Sequence, residues 1–263
     1  MSQLVLSVGG VSLELRAAEP VIAASRERWA PFTIAAAAER PIVLDVEAAS
    51  PFDGRYEREL PVRVEPAGPR ALAFTASDGC RGRVDLDGAS GGLSGARGVA
   101  AVDALLRAAL SLALPASGAL LVHAALVPRG AEALVFAGAS GAGKSTAAGL
   151  LGGVCDEMTV LRPEGDRVQA LATPWWRGRA FAAQRSVLYC LRRARGAPAR
   201  VTPLAGGAAV RALMPNVARF TVLPALERQI LSLSAAICAA APVWDASCPE
   251  GAAFPPFISE LAA

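Results

Sequence analysis

Gly138-Ala139-Ser140-Gly141-Ala142-Gly143-Lys144-Ser145, with Thr146 behind it, satisfies the spacing G-x-x-x-x-G-K-[ST] at every fixed position. Those residue types suit one task, the holding of a polyphosphate. Glycines let successive backbone N–H groups turn inward on phosphate oxygens, and the N-terminus of the helix that follows adds its dipole. In such a loop the Lys144 ammonium reaches the outer phosphates and the Ser145 hydroxyl holds Mg²⁺. The expected ligand is therefore ATP with Mg²⁺, cradled by residues 138–146. Of the 26 basic residues, 25 are Arg and the remaining one is Lys144. Where charge alone suffices this chain uses Arg, so the single Lys marks a position that asks for a compact, flexible ammonium.

Other chemistries are excluded by what is missing. A guanine-reading Asn-Lys-x-Asp element needs a second lysine, and the chain has none. No run of four apolar residues ending in Asp follows the loop; the best acidic pair is Asp156-Glu157, 12 residues after Lys144. Five cysteines (Cys80, Cys155, Cys190, Cys238 and Cys248) form no CxxC pair, and with one histidine, His123, they offer neither a zinc set nor a disulfide framework. They are expected as small buried hydrophobes. A second charged feature lies downstream. Between Val168 and Leu226 there are nine Arg (Arg177, Arg179, Arg185, Arg192, Arg193, Arg195, Arg200, Arg211 and Arg219) and no Asp or Glu, which leaves −6 for the rest of a chain whose net charge is +3. The segment is either a solvated face or a receiver of anions. In the second case Arg177 or Arg179 meets ATP phosphate, Arg177 stabilising charge in the transition state, and other members receive an acidic peptide or a neighbouring subunit of a homo-oligomer. No helix-turn-helix, zinc or stacking-aromatic pattern accompanies this charge, so nucleic acid is not the expected partner.

The elements that must position these residues are predicted from periodicity. At 263 residues, 53% hydrophobic and 19% charged, the chain is long and apolar enough for one large domain or two small ones. Residues 1–95 read as β-rich, with strands near 5–15, 41–46, 60–64 and 71–75 separated by turn clusters. Residues 88–98 are almost all Gly, Ser and Ala and are predicted as a linker, with the domain boundary there. A helix is predicted over 99–114, its single polar stripe made by Asp103, Arg107 and Ser111, with Pro115 as its stop. Strands at 119–127 and 133–137, a helix at 144–151, a strand at 154–160 and helices at 205–213 and 223–240 follow. That alternation argues for an α/β domain over 99–263. The most apolar stretch, 108–127, is interrupted by Pro115, Ser117, Gly118 and His123, so no membrane-spanning helix is expected. The first residues lack the basic start of a signal peptide, which makes the cytoplasm the expected compartment.

The order of the chemical residues is more specific than the loop alone. Leu121-Val122-His123-Ala124-Ala125 precedes the loop, and Val154-Cys155-Asp156-Glu157 and Ala172-Thr173-Pro174-Trp175 follow it. A closing Pro249-Glu250-Gly251-Ala252-Ala253-Phe254 completes the series. Over roughly residues 99–257 this order resembles the HPr kinase/phosphorylase family and its relatives, among them the peptide-modifying kinases of lasso-peptide gene clusters. The acidic pair is Asp-Glu where the family carries Asp-Asp, and of the family's Glu-x-Arg-Gly signature only Arg177-Gly178 is recognisable. The resemblance implies a P-loop kinase domain of the HPr-kinase/PEP-carboxykinase-like type behind a small β-rich domain. It also implies ATP-dependent phosphorylation of a hydroxyl, above all a serine, on a protein or peptide. Asp156 would then be the base, Glu157 a metal ligand or a support for Asp156, and His123 a neighbour that tunes the pair. A P-loop ATPase and a non-catalytic partner that senses ATP remain the alternatives.

Overall fold

The computed structural model describes residues 1–53, 60–175, 178–194, 198–220 and 223–262. These make a mixed α/β chain with three sheets and six α-helices among the described residues. Contacts divide the chain into two compact units, residues 1–117 with 219–229, and residues 118–218 with 230–263.

In the first unit β1 (Ser2–Val8) and β2 (Val11–Ala17) form a hairpin, followed by α1 (Glu19–Trp29). Then come β3 (Ile42–Asp53), β4 (Val62–Gly68), β5 (Ala71–Ala76), β6 (Arg81–Asp85) and β7 (Ser90–Gly98). The strands make one sheet in the order β1-β2-β3-β7-β6-β5-β4. The predicted linker is thus a strand inside the sheet, paired parallel with β3 and antiparallel with β6. Its glycines record close packing. A Cβ on Gly91 would lie 2.8 Å from Leu44 Cδ2 and 2.9 Å from the Arg83 carbonyl oxygen, and glycine inside a strand marks such an approach.

Helix α2 (Val99–Ala116) lies on this sheet and is buried at 16 of its positions, with Pro115 inside its last turn and not beyond it. The helix therefore groups with the first unit, whereas on sequence it opens the second region. Its polar stripe is buried too. Arg107 Nε donates to Asp103 Oδ2 at 2.7 Å, and the Ser111 hydroxyl donates to the Ala108 carbonyl at 2.8 Å. Among the described residues this one helix is long and apolar enough to cross a membrane, yet 83% of its 18-residue span is buried in the fold.

The second unit holds two sheets. One runs β15 (Arg200–Leu204), β16 (Val243–Cys248), β14 (Arg185–Arg193), β10 (Glu132–Gly138), β9 (Ala124–Arg129). The other runs β13 (Ala182–Ala183), β12 (Arg167–Ala172), β11 (Thr159–Glu164), β8 (Leu120–Val122) and is antiparallel throughout. Within the first of these, β10, β14 and β16 are parallel. Residues 133–137 of β10 are wholly buried, which is the continuous apolar run a covered parallel strand requires. Helix α3 (Lys144–Leu151) has the predicted bounds, and α4 (Gly206–Leu213), α5 (Pro224–Ala240), which belongs to this unit from Ile230 on, and α6 (Phe254–Ala262) follow. Under α3 and α6 a core gathers Leu134, Phe136, Tyr189, Leu191, Phe254 and Ile258, with the Phe136 and Tyr189 rings stacked at 5.5 Å.

Two predicted strands are corrected. The run 119–127 is two strands, β8 and β9, in different sheets, which part at His123. The run 154–160 becomes a strand only at Thr159, so Asp156 and Glu157 stand in the loop ahead of β11. All five cysteines are buried free thiols, as expected of small apolar residues.

Candidate functional site

Strand β10 ends at Gly138, and after five intervening residues α3 begins at Lys144. The turn between them is closed by Ala142 N–H donating to the Ala139 carbonyl at 3.1 Å. Gly143 caps α3 with φ of 106°, and a Cβ there would lie 2.5 Å from Phe254 Cζ. The first residue of α6 therefore fills the space behind the loop, and only glycine satisfies both the backbone angle and the neighbour. Lys144 is 5% exposed and folds back on its own loop, Nζ donating to the carbonyls of Gly138 at 2.7 Å and Ala139 at 3.1 Å. Burial lowers its pKa from the ordinary lysine value, and the nearby Asp156 carboxylate works against that shift. A buried ammonium held on two carbonyls and facing a carboxylate is a charge poised for an anion.

The acidic pair is placed by the loop that carries it. Helix α3 stops at Gly152 in a left-handed conformation, and Gly153 N–H donates to the Ala148 carbonyl at 2.7 Å. Val154 and Cys155 then lace to β9, Val154 N–H donating to the Leu126 carbonyl and Leu126 N–H to the Cys155 carbonyl, both at 2.8 Å. Beyond the pair, the Met158 carbonyl accepts from the Thr173 hydroxyl and from the Cys155 thiol, and the Thr159 hydroxyl donates to the Ala124 carbonyl at 3.0 Å. Asp156 and Glu157 are thus pinned on both flanks. Thr173 of the Thr-Pro-Trp segment serves this framework, and Trp175 beside it is wholly buried.

His123 sits where β8 and β9 part, its backbone N–H donating to the Asn216 carbonyl at 2.7 Å. One cavity of about 420 Å³ is lined by His123, Ser140, Gly141, Gly143, Lys144, Ser145, Thr146, Asp156, Glu157 and Arg193. The structure therefore brings His123, Ser140, Lys144, Ser145, Thr146, Asp156 and Glu157 together in one cavity, whereas Arg179 is exposed outside its lining and Arg177 lies outside the described residues. Residues of this kind fit a magnesium-bound polyphosphate: a buried ammonium, the exposed Ser145 and Thr146 hydroxyls at a helix start, and two carboxylates.

Arg193 has a different place from the one its sequence neighbourhood suggests. It stands at the end of β14, the parallel neighbour of β10, and its Nε donates to the Gly141 carbonyl at 2.9 Å. Its Nη1 lies 3.7 Å from the Glu250 carboxylate. Arg192 points elsewhere, its Nε 3.0 Å from both Asp245 carboxylate oxygens and its Nη1 3.2 Å from Ser247 Oγ. Within the arginine-rich segment, then, Arg193 belongs to the phosphate loop and Arg192 to an ion pair with β16. No local signal could reveal this, because Arg193 reaches Gly141 through the pairing of strands some fifty residues apart. No protein-family model matches this chain, and no curated protein matches it significantly.

Proposed function

We propose that the second unit is an ATP-dependent phosphotransferase of HPr-kinase-like type, acting in the cytoplasm on a hydroxyl, foremost a serine, of a protein or peptide. One observation carries this reading: the loop that fits a polyphosphate shares its cavity with a pinned carboxylate pair and a histidine. A phosphate cradle alone would serve hydrolysis or sensing equally well. Transfer to a hydroxyl asks for one thing more, a group that takes the acceptor's proton.

In this reading the bond from the γ-phosphorus to its bridging oxygen breaks, and a bond to the acceptor oxygen forms. Asp156 accepts the acceptor's proton. Lys144, already the electrostatic partner of Asp156, neutralises charge on the outer phosphates, and Arg193 adds a second cation at the crest of the loop. Ser145 and Glu157 are the residues that would hold Mg²⁺, which when bound supplies further neutralisation of the phosphates. His123 lines the same cavity and orients or tunes the pair. Arg177, which follows the Thr-Pro-Trp segment in sequence, is the further candidate for stabilising charge in the transition state.

The test is incubation with γ-labelled ATP, Mg²⁺ and peptides encoded beside the gene, for the parent and for Asp156→Asn. Label on a peptide serine is expected, reduced on the order of 10²-fold or more in the variant with ATP affinity retained. Label released only as inorganic phosphate would favour the ATPase alternative. ATP bound without turnover would favour the sensor. Near-parent transfer by Asp156→Asn would move the base to Glu157.

A further inference from the structure

A second cavity, about 390 Å³, adjoins the one just described and shares Gly141, Gly143, Thr146 and Arg193 with it. The two differ in chemistry. The first has the ammonium, the Ser145 hydroxyl and the carboxylate pair. The second is walled by Ala142, Cys248, Pro249, Glu250, Gly251 and Phe254, a mostly apolar and backbone surface with one carboxylate. With that carboxylate beside the shared Arg193, the wall has no cation to spare for a second anion. It suits a flat, uncharged group that carries hydrogen-bond donors, and its volume falls in the range of small-molecule pockets.

We propose that this second cavity is the nucleoside end of the ATP site, with the Glu250 carboxylate accepting hydrogen bonds from the ribose hydroxyls. Three observations carry it. The cavities meet at the crest of the phosphate loop, so a chain of phosphates lying in one leaves its attached nucleoside at the mouth of the other. Arg193 stands in both and bridges them, held on the Gly141 carbonyl and beside the Glu250 carboxylate. The Glu250 side chain lines the second cavity, is 61% exposed and meets Arg193 only at 3.7 Å, so its carboxylate keeps acceptor capacity to spare. The 248–254 turn is also rigidly tied to the loop, because Phe254 packs on Gly143. The inference rests on the phosphate-loop reading above and adds to it the residues that select a nucleotide over a bare polyphosphate.

The experiment is calorimetric titration of the full chain with Mg·ATP, Mg·2′,3′-dideoxyATP and magnesium tripolyphosphate, repeated on Glu250→Gln. The parent should bind ATP about tenfold or more tighter than tripolyphosphate, with dideoxyATP in between, because a charge-assisted hydrogen bond is at stake. Glu250→Gln should weaken ATP severalfold while tripolyphosphate stays the same or tightens, since a negative charge beside Arg193 has gone. A merely structural role for Glu250 would move both ligands the same way, and that result overturns the proposal. So does equal affinity of the parent for ATP and tripolyphosphate, which would leave the phosphate loop standing and remove only its nucleoside end. Equal affinity for ATP and dideoxyATP would refute the assignment of the ribose to Glu250. Binding of none of the three would refute the loop reading and this one together.

Discussion

Gly143→Ala is the sharpest probe of how the C-terminal helix supports the phosphate loop. At φ of 106° an alanine is strained, and a left-handed conformation costs a residue with a Cβ about 1–2 kcal/mol. The new methyl would also stand 2.5 Å from Phe254 Cζ and 2.7 Å from its Cε2. Forcing an extra methyl into a packed site typically costs a further ~1–3 kcal/mol. The sum, about 2–5 kcal/mol, is large for one methyl group. Phe254→Leu separates the two contributions. It frees space behind Gly143 but cannot relax the backbone, so the double variant should be more stable than the sum of the singles predicts, by about 1 kcal/mol or more. Urea unfolding of the four proteins measures this cycle, and titration with Mg·ATP on the same set reports the loop, whose affinity should fall with Gly143→Ala. A Gly143→Ala variant within about 0.5 kcal/mol of the parent would refute the steric argument. Strict additivity would show that Phe254 is not the obstacle.

Two further outcomes are expected. Lys144→Ala should keep the fold, since it removes a buried charge that burial already disfavours, and should abolish the rise in Tm that Mg·ATP gives the parent; a variant still stabilised by Mg·ATP would contradict the role given to Lys144. Stability should also fall as pH rises above 9.0, the ordinary cysteine value, because burial pushes Cys80 and Cys190 up to about 12 and Cys238 and Cys248 up to about 11. Between those values the unfolded chain has released protons that the folded chain retains, so each thiol removes up to about 1.4 kcal/mol per pH unit. Lys144 acts in the opposite sense just below 10.5, where its lowered pKa makes the folded chain the one lacking a proton, but one group cannot offset four. Denaturant titrations at pH 8, 9, 10 and 11 check the slope, and a flat profile would mean the thiols are not held from water as described.

Local signals marked the elements they control and no others. Helix α3 starts and stops where expected because its limits are chemical: Lys144 follows the loop's last glycine, and Gly152 takes the left-handed cap. Strand β7 was masked by its own composition. Gly91, Gly92 and Gly95 look like a linker until Leu44 and Arg83 are seen lying where a side chain of residue 91 would go. The apolar run 119–127 has the right hydrophobicity for a strand, but periodicity says nothing about which sheet a residue joins. Asp156, Glu157 and His123 were legible as chemistry, and their convergence in one cavity with Lys144 was expected only from the family resemblance that their order carries. Arg193 was visible only as one arginine among nine, because its role depends on β10 lying beside β14.

The parting of β8 and β9 at His123 places an unusual demand on chain length. Residues 120–122 are in register with β11 and residues 124–129 with β10, so nine of ten consecutive residues are locked, three to one ladder and six to the other. One of those ladders starts two residues after the acidic pair and the other ends at the phosphate loop. Side chains in this stretch can be exchanged for others of similar size without disturbing either register. A one-residue insertion or deletion cannot be absorbed, because it would turn one strand inside out while the other stayed in place. Apart from His123, which lines the site, selection on this segment should therefore act on its count of residues before their kind, and among natural variants of the chain gaps should avoid 120–129 even where substitutions accumulate.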